Sequence, residues 1–291
     1  MQRSMGVEDG ARFAFGKNWQ SFIDQCLSDE RVRLAKESLR ALLGMENLEG
    51  RTFLDVGCGS GLYSLAAVVL GAEQVTSFDY DGNSVEASEQ VRAAYGVPPE
   101  RWSICQGSIL DDRFLAALKP ADVVYCWGVA HHTGDMWRAL DNLAHKVNPG
   151  GLLQLAIYNK IDRPIGGSRF WLKIKRVYNS SSGVVRRAME YAFVADFILR
   201  QLVTLRNPFA AIRNYPKNNR GRGMDFWHDV RDWMGGYPYE FATAGEVFEY
   251  LHTCHELQLE RLKTVYSIGC NEFVFSAPRQ GRLPEPETIV C

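Results

Sequence analysis

Thr52-Phe53-Leu54-Asp55-Val56-Gly57-Cys58-Gly59-Ser60-Gly61-Leu62 is the stretch on which the fold turns. Thr52 to Val56 is a short apolar run of the kind that forms a buried strand, and a glycine-rich turn follows it directly. Leu62 to Leu70 then reads as a helix closed by Gly71. Glycines at the alternate positions 57, 59 and 61 permit close backbone approach, and a side chain there is expected to collide with a ligand lying across the strand end. The helix beyond offers free N–H groups and partial positive charge at its N-terminus. A dinucleotide fingerprint would place its last glycine at position 62, where this chain has Leu62. An acid ahead of Gly-x-Gly-x-Gly suits a ligand with a cationic amino-acid end and no pyrophosphate.

Outward from that turn, strands and helices alternate. Gln74–Phe78 reads as a second strand ending at Asp79, Trp102–Gln106 as a third, Ala121–Val129 as a fourth and Leu152–Tyr158 as a fifth. Helices are expected over 83–95 and 135–147, with an Asn148-Pro149-Gly150-Gly151 turn before the fifth strand. After 158 the alternation stops. Residues 168–206 carry aromatic, aliphatic and basic residues at helical spacing, and 207–240 read as loop. A helix near Thr243–His255 and strands near Leu259–Tyr266 and Asn271–Ser276 resume the pattern. The expected fold class is α/β: a Rossmann-like, doubly wound, mostly parallel seven-stranded sheet with a mainly helical insertion after the fifth strand. The expected organisation is an N-terminal helical cap over 1–50, whose helix spans about Trp19–Leu43, and a core over 51–158 and 243–278. The insertion occupies 159–242, and 279–291 form a loose tail.

Asp79 lies 24 residues after Asp55, near the offset of about 20 at which an acid receives ribose hydroxyls. Gln106-Gly107-Ser108-Ile109 follows the third strand, where an adenine edge can meet a hydroxyl and a backbone N–H. Val124-Tyr125-Cys126-Trp127-Gly128-Val129-Ala130-His131-His132 ends the fourth strand. With these pieces and the Asn-Pro-Gly-Gly turn, the chain resembles the class I S-adenosylmethionine-dependent methyltransferases from about Phe13 to Phe275. That resemblance implies S-adenosylmethionine as cofactor. It places Asp55, Gly57, Gly59 and Gly61 at the methionine part, Asp79 at the ribose, and Tyr80, Ser108 and Ile109 at the adenine. Many members carry an acid where Ser108 stands. Trp127 is expected against the cofactor, where an aromatic ring attracts a sulfonium, or in the core.

Methyl transfer from a sulfonium chiefly requires alignment of a nucleophile, with a base where that nucleophile is a hydroxyl or an ammonium. His131 and His132 are the candidate catalytic groups, since a histidine of pKa about 6.5 accepts a proton at neutral pH; capping the next helix is the alternative. Phe15-Gly16-Lys17-Asn18-Trp19 and Gly235-Gly236-Tyr237-Pro238-Tyr239-Glu240 resemble segments that accompany this core in a small-molecule methyltransferase subgroup. They suggest Lys17 at the cofactor carboxylate and Tyr237, Tyr239 and Glu240 in the acceptor pocket.

Between Lys160 and Arg222 the chain has fourteen Lys/Arg against three acids, in a protein of net charge −1. An insertion at the ligand end of the sheet with that balance is expected to form a lid over an anionic small-molecule acceptor, with Arg220, Arg222 and Arg231 binding it. A dimer contact, a solvated face and membrane-surface docking through 184–206 are the other readings, the last because arginines there mix with large apolar residues. Either a monomer or a homodimer is expected. No RNA-binding module is visible and the chain as a whole is not basic, so nucleic acid is not expected.

Seven scattered cysteines without a Cys-x-x-Cys pair argue against a disulfide framework and a zinc site, and no metal is expected. The polar first ten residues do not read as a signal peptide, and no apolar run reaches the roughly 18 residues of a membrane span. A reducing, cytoplasmic setting is expected. The competing functions are a nicotinamide enzyme, disfavoured by Leu62, and an aminopropyl transferase, for which an Asp-rich run after the fourth strand is missing. A non-catalytic cofactor-binding or membrane-associated protein is the third.

Overall fold

The computed structural model describes residues 28–213 and 226–279. Helix α1 (Asp29–Leu43) leads into β1 (Thr52–Val56), α2 (Leu62–Val69), β2 (Gln74–Asp79), α3 (Gly82–Ala94), β3 (Trp102–Gln106) and α4 (Asp112–Ala117). Next come β4 (Ala121–Trp127), a 3-10 turn over Ala130–His132, α5 (Met136–Ala144) and β5 (Val147–Tyr158). Helices α6 (Ser168–Ser180), α7 (Gly183–Val203), α8 (Pro208–Arg213) and α9 (Phe226–Gly235) form the insertion. Then α10 (Ala244–His255), β6 (Gln258–Lys263) and β7 (Cys270–Ser276) complete the core.

Among the described residues the seven strands make one sheet in the order β3-β2-β1-β4-β5-β7-β6. β1 to β5 pair in parallel, and β7 runs antiparallel to both β5 and β6. The winding reverses between β1 and β4, so a crevice opens at their carboxyl ends, where ligands of open α/β sheets bind.

Alternation along β1 shows how both faces are covered. Phe53 packs with Leu39, Leu65, Val75, Trp102 and Val123 on one face, while Leu54 and Val56 join Leu140, Leu153, Leu155, Phe273 and Phe275 on the other. A third, separate cluster of Tyr178, Val194, Phe226, Val230 and Met234 holds the insertion together.

Two local expectations change. The stretch 207–240 was expected as loop, yet α8 and α9 lie within it. Phe226, Val230 and Met234 recur every four residues and bury one face of α9, a signal that the surrounding Pro, Gly, Asn and Arg residues obscure. The Asn148–Gly151 turn is a bulge inside β5: Ala121 pairs Val147 and Val123 pairs Leu152, so the extra residues arch out of register. Of the first helix, expected over about Trp19–Leu43, Asp29–Leu43 is described, and residues 19–27 lie outside the described residues.

The glycine turn after β1 is shaped by its own protein neighbours. Gly57 has φ 72° and Gly61 φ 74°. A Cβ on Gly57 would overlap the Val129 side chain, and one on Gly61 would lie 2.8 Å from Ser88 Oγ. Glycine is required here by the left-handed backbone and by protein neighbours, before any ligand is considered. Gly57→Ala is expected to destabilise the chain by about 1–3 kcal/mol. Adding Val129→Ala should recover the steric part and leave the conformational part. Urea denaturation of the single and double variants checks this, and equal stability of Gly57→Ala and wild type would contradict it.

Candidate active site

The turn after β1 is tied to the end of β2. The Phe78 carbonyl accepts from Gly57 N–H at 2.8 Å and from Cys58 N–H at 3.2 Å. One residue later, Asp79 Oδ2 accepts from Gly59 N–H at 3.0 Å and Oδ1 from Asp81 N–H at 2.9 Å. These bonds aim a carboxylate along the carboxyl edge of the sheet. Burial of the group outweighs its backbone donors and pushes the Asp79 pKa up to about 6.

Beneath the turn lies a buried polar chain. Ser64 Oγ donates to Asp55 Oδ2 at 2.5 Å, Ser64 Oγ meets Ser77 Oγ at 2.7 Å, and Trp102 Nε1 donates to Ser77 Oγ at 2.7 Å. Burial pushes Asp55 up to about 7, with the Ser64 hydroxyl opposing. Asp55 forms part of the cleft floor and braces the turn from below.

One cleft of roughly 2010 Å³ runs from this edge into the insertion. A pocket for one small ligand is typically about 300–1,000 Å³, so there is room for two molecules. At its first end lie Gly57, Gly59, Asp79, Tyr80, Ser108 and Ile109. Ser108 Oγ accepts from Leu110 N–H at 3.1 Å, which sets the turn after β3. Trp127 lines the middle. Tyr158, Trp171, Phe193, Trp233 and Tyr237 line the far end with His131 and His132.

The histidine pair is held by the chain that follows the insertion. His132 Nδ1 is 2.5 Å from the Pro238 carbonyl. A carbonyl only accepts, so Nδ1 carries the proton, and Nε2 is the basic nitrogen of the neutral ring. His131 is buried, with its ring centroid 4.0 Å from that of Tyr158 and 4.5 Å from that of His132.

Glu240, expected in the acceptor pocket, has a different place. Its Oε2 accepts from Gly134 N–H at 3.0 Å and its Oε1 from Met136 N–H at 3.1 Å, while its own N–H donates to the His131 carbonyl at 2.9 Å. It caps α5 and clamps the histidine turn. Tyr239 is buried against Tyr158, with ring centroids 5.0 Å apart, and lies behind the cleft wall. Arg231 turns outward, with Nε 3.8 Å from Glu190 Oε2, and does not line the cleft. Tyr237 does line it, whereas Lys17, Arg220 and Arg222 lie outside the described residues.

Lys175 is the residue that sequence reasoning passed over. It is fully buried on α6, with its ammonium bonded to the Trp233 carbonyl and lying 4.2 Å from the Trp233 ring and 5.0 Å from that of Tyr239. Burial pushes its pKa down to about 7 against the pull of Asp232. Lys173, Lys175 and Arg176 look like one solvated run, but Lys175 shares a helical face with Trp171 and Tyr178, both apolar anchors of the insertion.

The model of a family described as "Methyltransferase domain" matches residues 54–153, from β1 into β5. Over those residues the chain is similar to methyltransferase domains. A 111-residue stretch is 35% identical to ribosomal protein L11 methyltransferase of Azotobacter vinelandii, covering 38% of this chain and 35% of that one. The chain thus spans about a third of the length of the curated relatives it matches. Among solved structures, the magnesium protoporphyrin IX methyltransferase ChlM of Synechocystis with bound S-adenosylhomocysteine aligns at TM-score 0.51 and 14% identity. That alignment covers 90% of this chain and 93% of the other. The N-methyltransferase NodS of Bradyrhizobium japonicum aligns at TM-score 0.50 and 13% identity, covering 93% and 100%. These two likenesses are of fold.

Glu240 offers a test of how the sheet core is joined to the insertion. Its pKa is pushed up to about 7 by burial. A carboxyl raised in the folded state contributes stability that is complete below its unfolded-state pKa, near 4.3, and is lost as pH rises through about 7. The stability advantage of wild type over Glu240→Gln is therefore expected to shrink between about pH 5 and pH 8.5. Urea denaturation at both pH values checks it; an advantage that grows with pH would contradict it.

Proposed function

We propose that this chain is an S-adenosylmethionine-dependent methyltransferase acting on an O or N atom of a small acceptor held at the aromatic end of the cleft. The observation that carries this reading is continuity. Asp79 and the glycine turn stand at one end of a single cleft, and His132, its tautomer set by the Pro238 carbonyl, stands at the other.

The residues fit the cofactor. The Asp79 carboxylate, held by backbone donors that include Gly59 and Asp81, keeps acceptor capacity at the cleft edge for the ribose. Tyr80, half exposed at the cleft edge, and Ile109, buried beside it, offer flat apolar surface to a purine. Ser108 presents a hydroxyl in place of the acid many members have, so recognition of the adenine amino group falls to that hydroxyl and the backbone. When bound, S-adenosylmethionine supplies an activated methyl group on a sulfonium, and the protein's part is alignment and proton removal. His132 Nε2 takes the proton from an acceptor hydroxyl or ammonium, and the Pro238 carbonyl keeps the ring from turning. His131 and Tyr158 brace it from behind.

The far end of the cleft is aromatic, with Asp229, Asp232 and the Asp196–Arg200 pair among its charged residues. This favours an acceptor with an apolar or aromatic body. The basic balance of the insertion favours an anionic group on that acceptor.

Two measurements test the reading. The ionised form of Asp79 accepts the ribose hydroxyls, so S-adenosylhomocysteine binding should weaken about tenfold near pH 5, one unit below its raised pKa. Asp79→Asn should bind weakly and lose most of that pH dependence. Calorimetry showing a flat wild-type profile, or no binding, would contradict the cofactor assignment. In a radiolabelled-methyl screen over apolar, aromatic and anionic acceptors, His132→Ala should lower kcat by about 10²–10⁴ with cofactor affinity intact. Full turnover by that variant would remove His132 as the base.

A further inference from the structure

Helix α7 is apolar on two sides. Its inner side lines the cleft through Met189, Phe193 and Phe197. Its outer side carries Val184, Ala188, Tyr191, Ala195, Leu199 and Leu202 at successive steps of three and four residues, and all six are exposed. That spacing makes one stripe along the helix. The stripe continues past the helix end: Val203 is 75% exposed, Leu205 96% and, on α8, Phe209 77%. A contiguous apolar strip of this length is unusual on a free surface and marks a contact.

The charges beside it indicate what covers it. Between residues 160 and 213 there are eleven Lys/Arg and three acids. Of those acids Glu190 is buried and Asp196 is paired with Arg200 at 2.7 Å. Arg187 on α7, Arg206 between the two helices and Arg213 on α8 are exposed along the same stretch. A second copy of this chain laid on the stripe would bring two insertions of the same positive sign together, which opposes association. An anionic lipid surface complements both properties, with arginines at the head groups and the apolar stripe at the acyl boundary. No described helix is long and apolar enough to cross a membrane, so the fitting geometry is a helix lying in the interface.

We propose that the outer face of α7 and α8 docks the protein on anionic lipid surfaces. The inner side of the same helix is cleft wall, so docking sets the aromatic end of the cleft beside the bilayer. The docking does not rest on the methyl-transfer reading, and its test is a binding measurement without cofactor or acceptor.

The test is flotation of the full chain with vesicles of phosphatidylcholine alone or with about 30% phosphatidylglycerol. The chain should float with the anionic vesicles, less with the neutral ones, and less again as salt is raised. Leu199→Glu/Leu202→Glu should lower the bound fraction at least about fivefold. Val203→Glu/Phe209→Glu, at positions off the helix interior, should act alike. Val69→Glu, an exposed apolar site on α2, should leave it unchanged. Circular dichroism establishes that each variant folds. Absence of binding to anionic vesicles overturns the proposal, as does binding that neither double substitution weakens. A wild-type dimer that Leu199→Glu/Leu202→Glu converts to monomer, without vesicle binding, would overturn it in favour of a second copy.

Discussion

The Phe78 carbonyl at the end of β2 accepts two N–H groups from the turn that leaves β1, and the next residue, Asp79, accepts a third. Those bonds exist only because the backbone at 57, 59 and 61 takes positive φ. With that curvature the chain passes over the strand ends, starts α2 and leaves a carboxylate facing the crevice. Without it α2 would enter at another angle, and the Asp55–Ser64–Ser77 chain beneath would lose its alignment. The edge of the cleft at the glycine turn is thus one hydrogen-bonded unit spanning β1, β2 and the start of α2.

The far end of the cleft is built differently. The histidine turn follows β4 but is held by residues more than a hundred positions later, through the Pro238 carbonyl on His132 and Glu240 across Gly134 and Met136. Glu240 is the point where the insertion returns to the core, so displacement of the insertion reaches the histidines directly. Lys175 gives the insertion rigidity near the same place, since its buried ammonium has a backbone carbonyl and two aromatic faces as partners.

What was legible in the sequence follows the range of the interactions. The apolar strand runs, the glycine turn and the Asp79 spacing are local patterns, and the seven-stranded α/β sheet follows from them. A further reason for Gly57 was not legible, because Val129, which a Cβ there would overlap, is distant in sequence and brought near only by the β1–β4 pairing. Glu240 and Arg231 look like acceptor ligands beside a tyrosine cluster, yet one caps α5 and the other turns toward Glu190 on α7; both partners are set by tertiary packing. Helix α9 was hidden by its flanks. Lys175 was readable in principle, since helical spacing puts it on the buried face of α6, but a lysine between two other cations reads as surface.

The central assignment is that the Asp79 carboxylate receives the ribose of S-adenosylmethionine while its reactive end faces His132. A crystal structure of the full chain with S-adenosylhomocysteine tests it most directly. Both ribose hydroxyls within about 2.6–3.2 Å of the Asp79 oxygens, with the sulfur directed to the His132 end of the cleft, is the expected result. A nucleoside bound away from Asp79, or with its sulfur turned from the histidine pair, would contradict it.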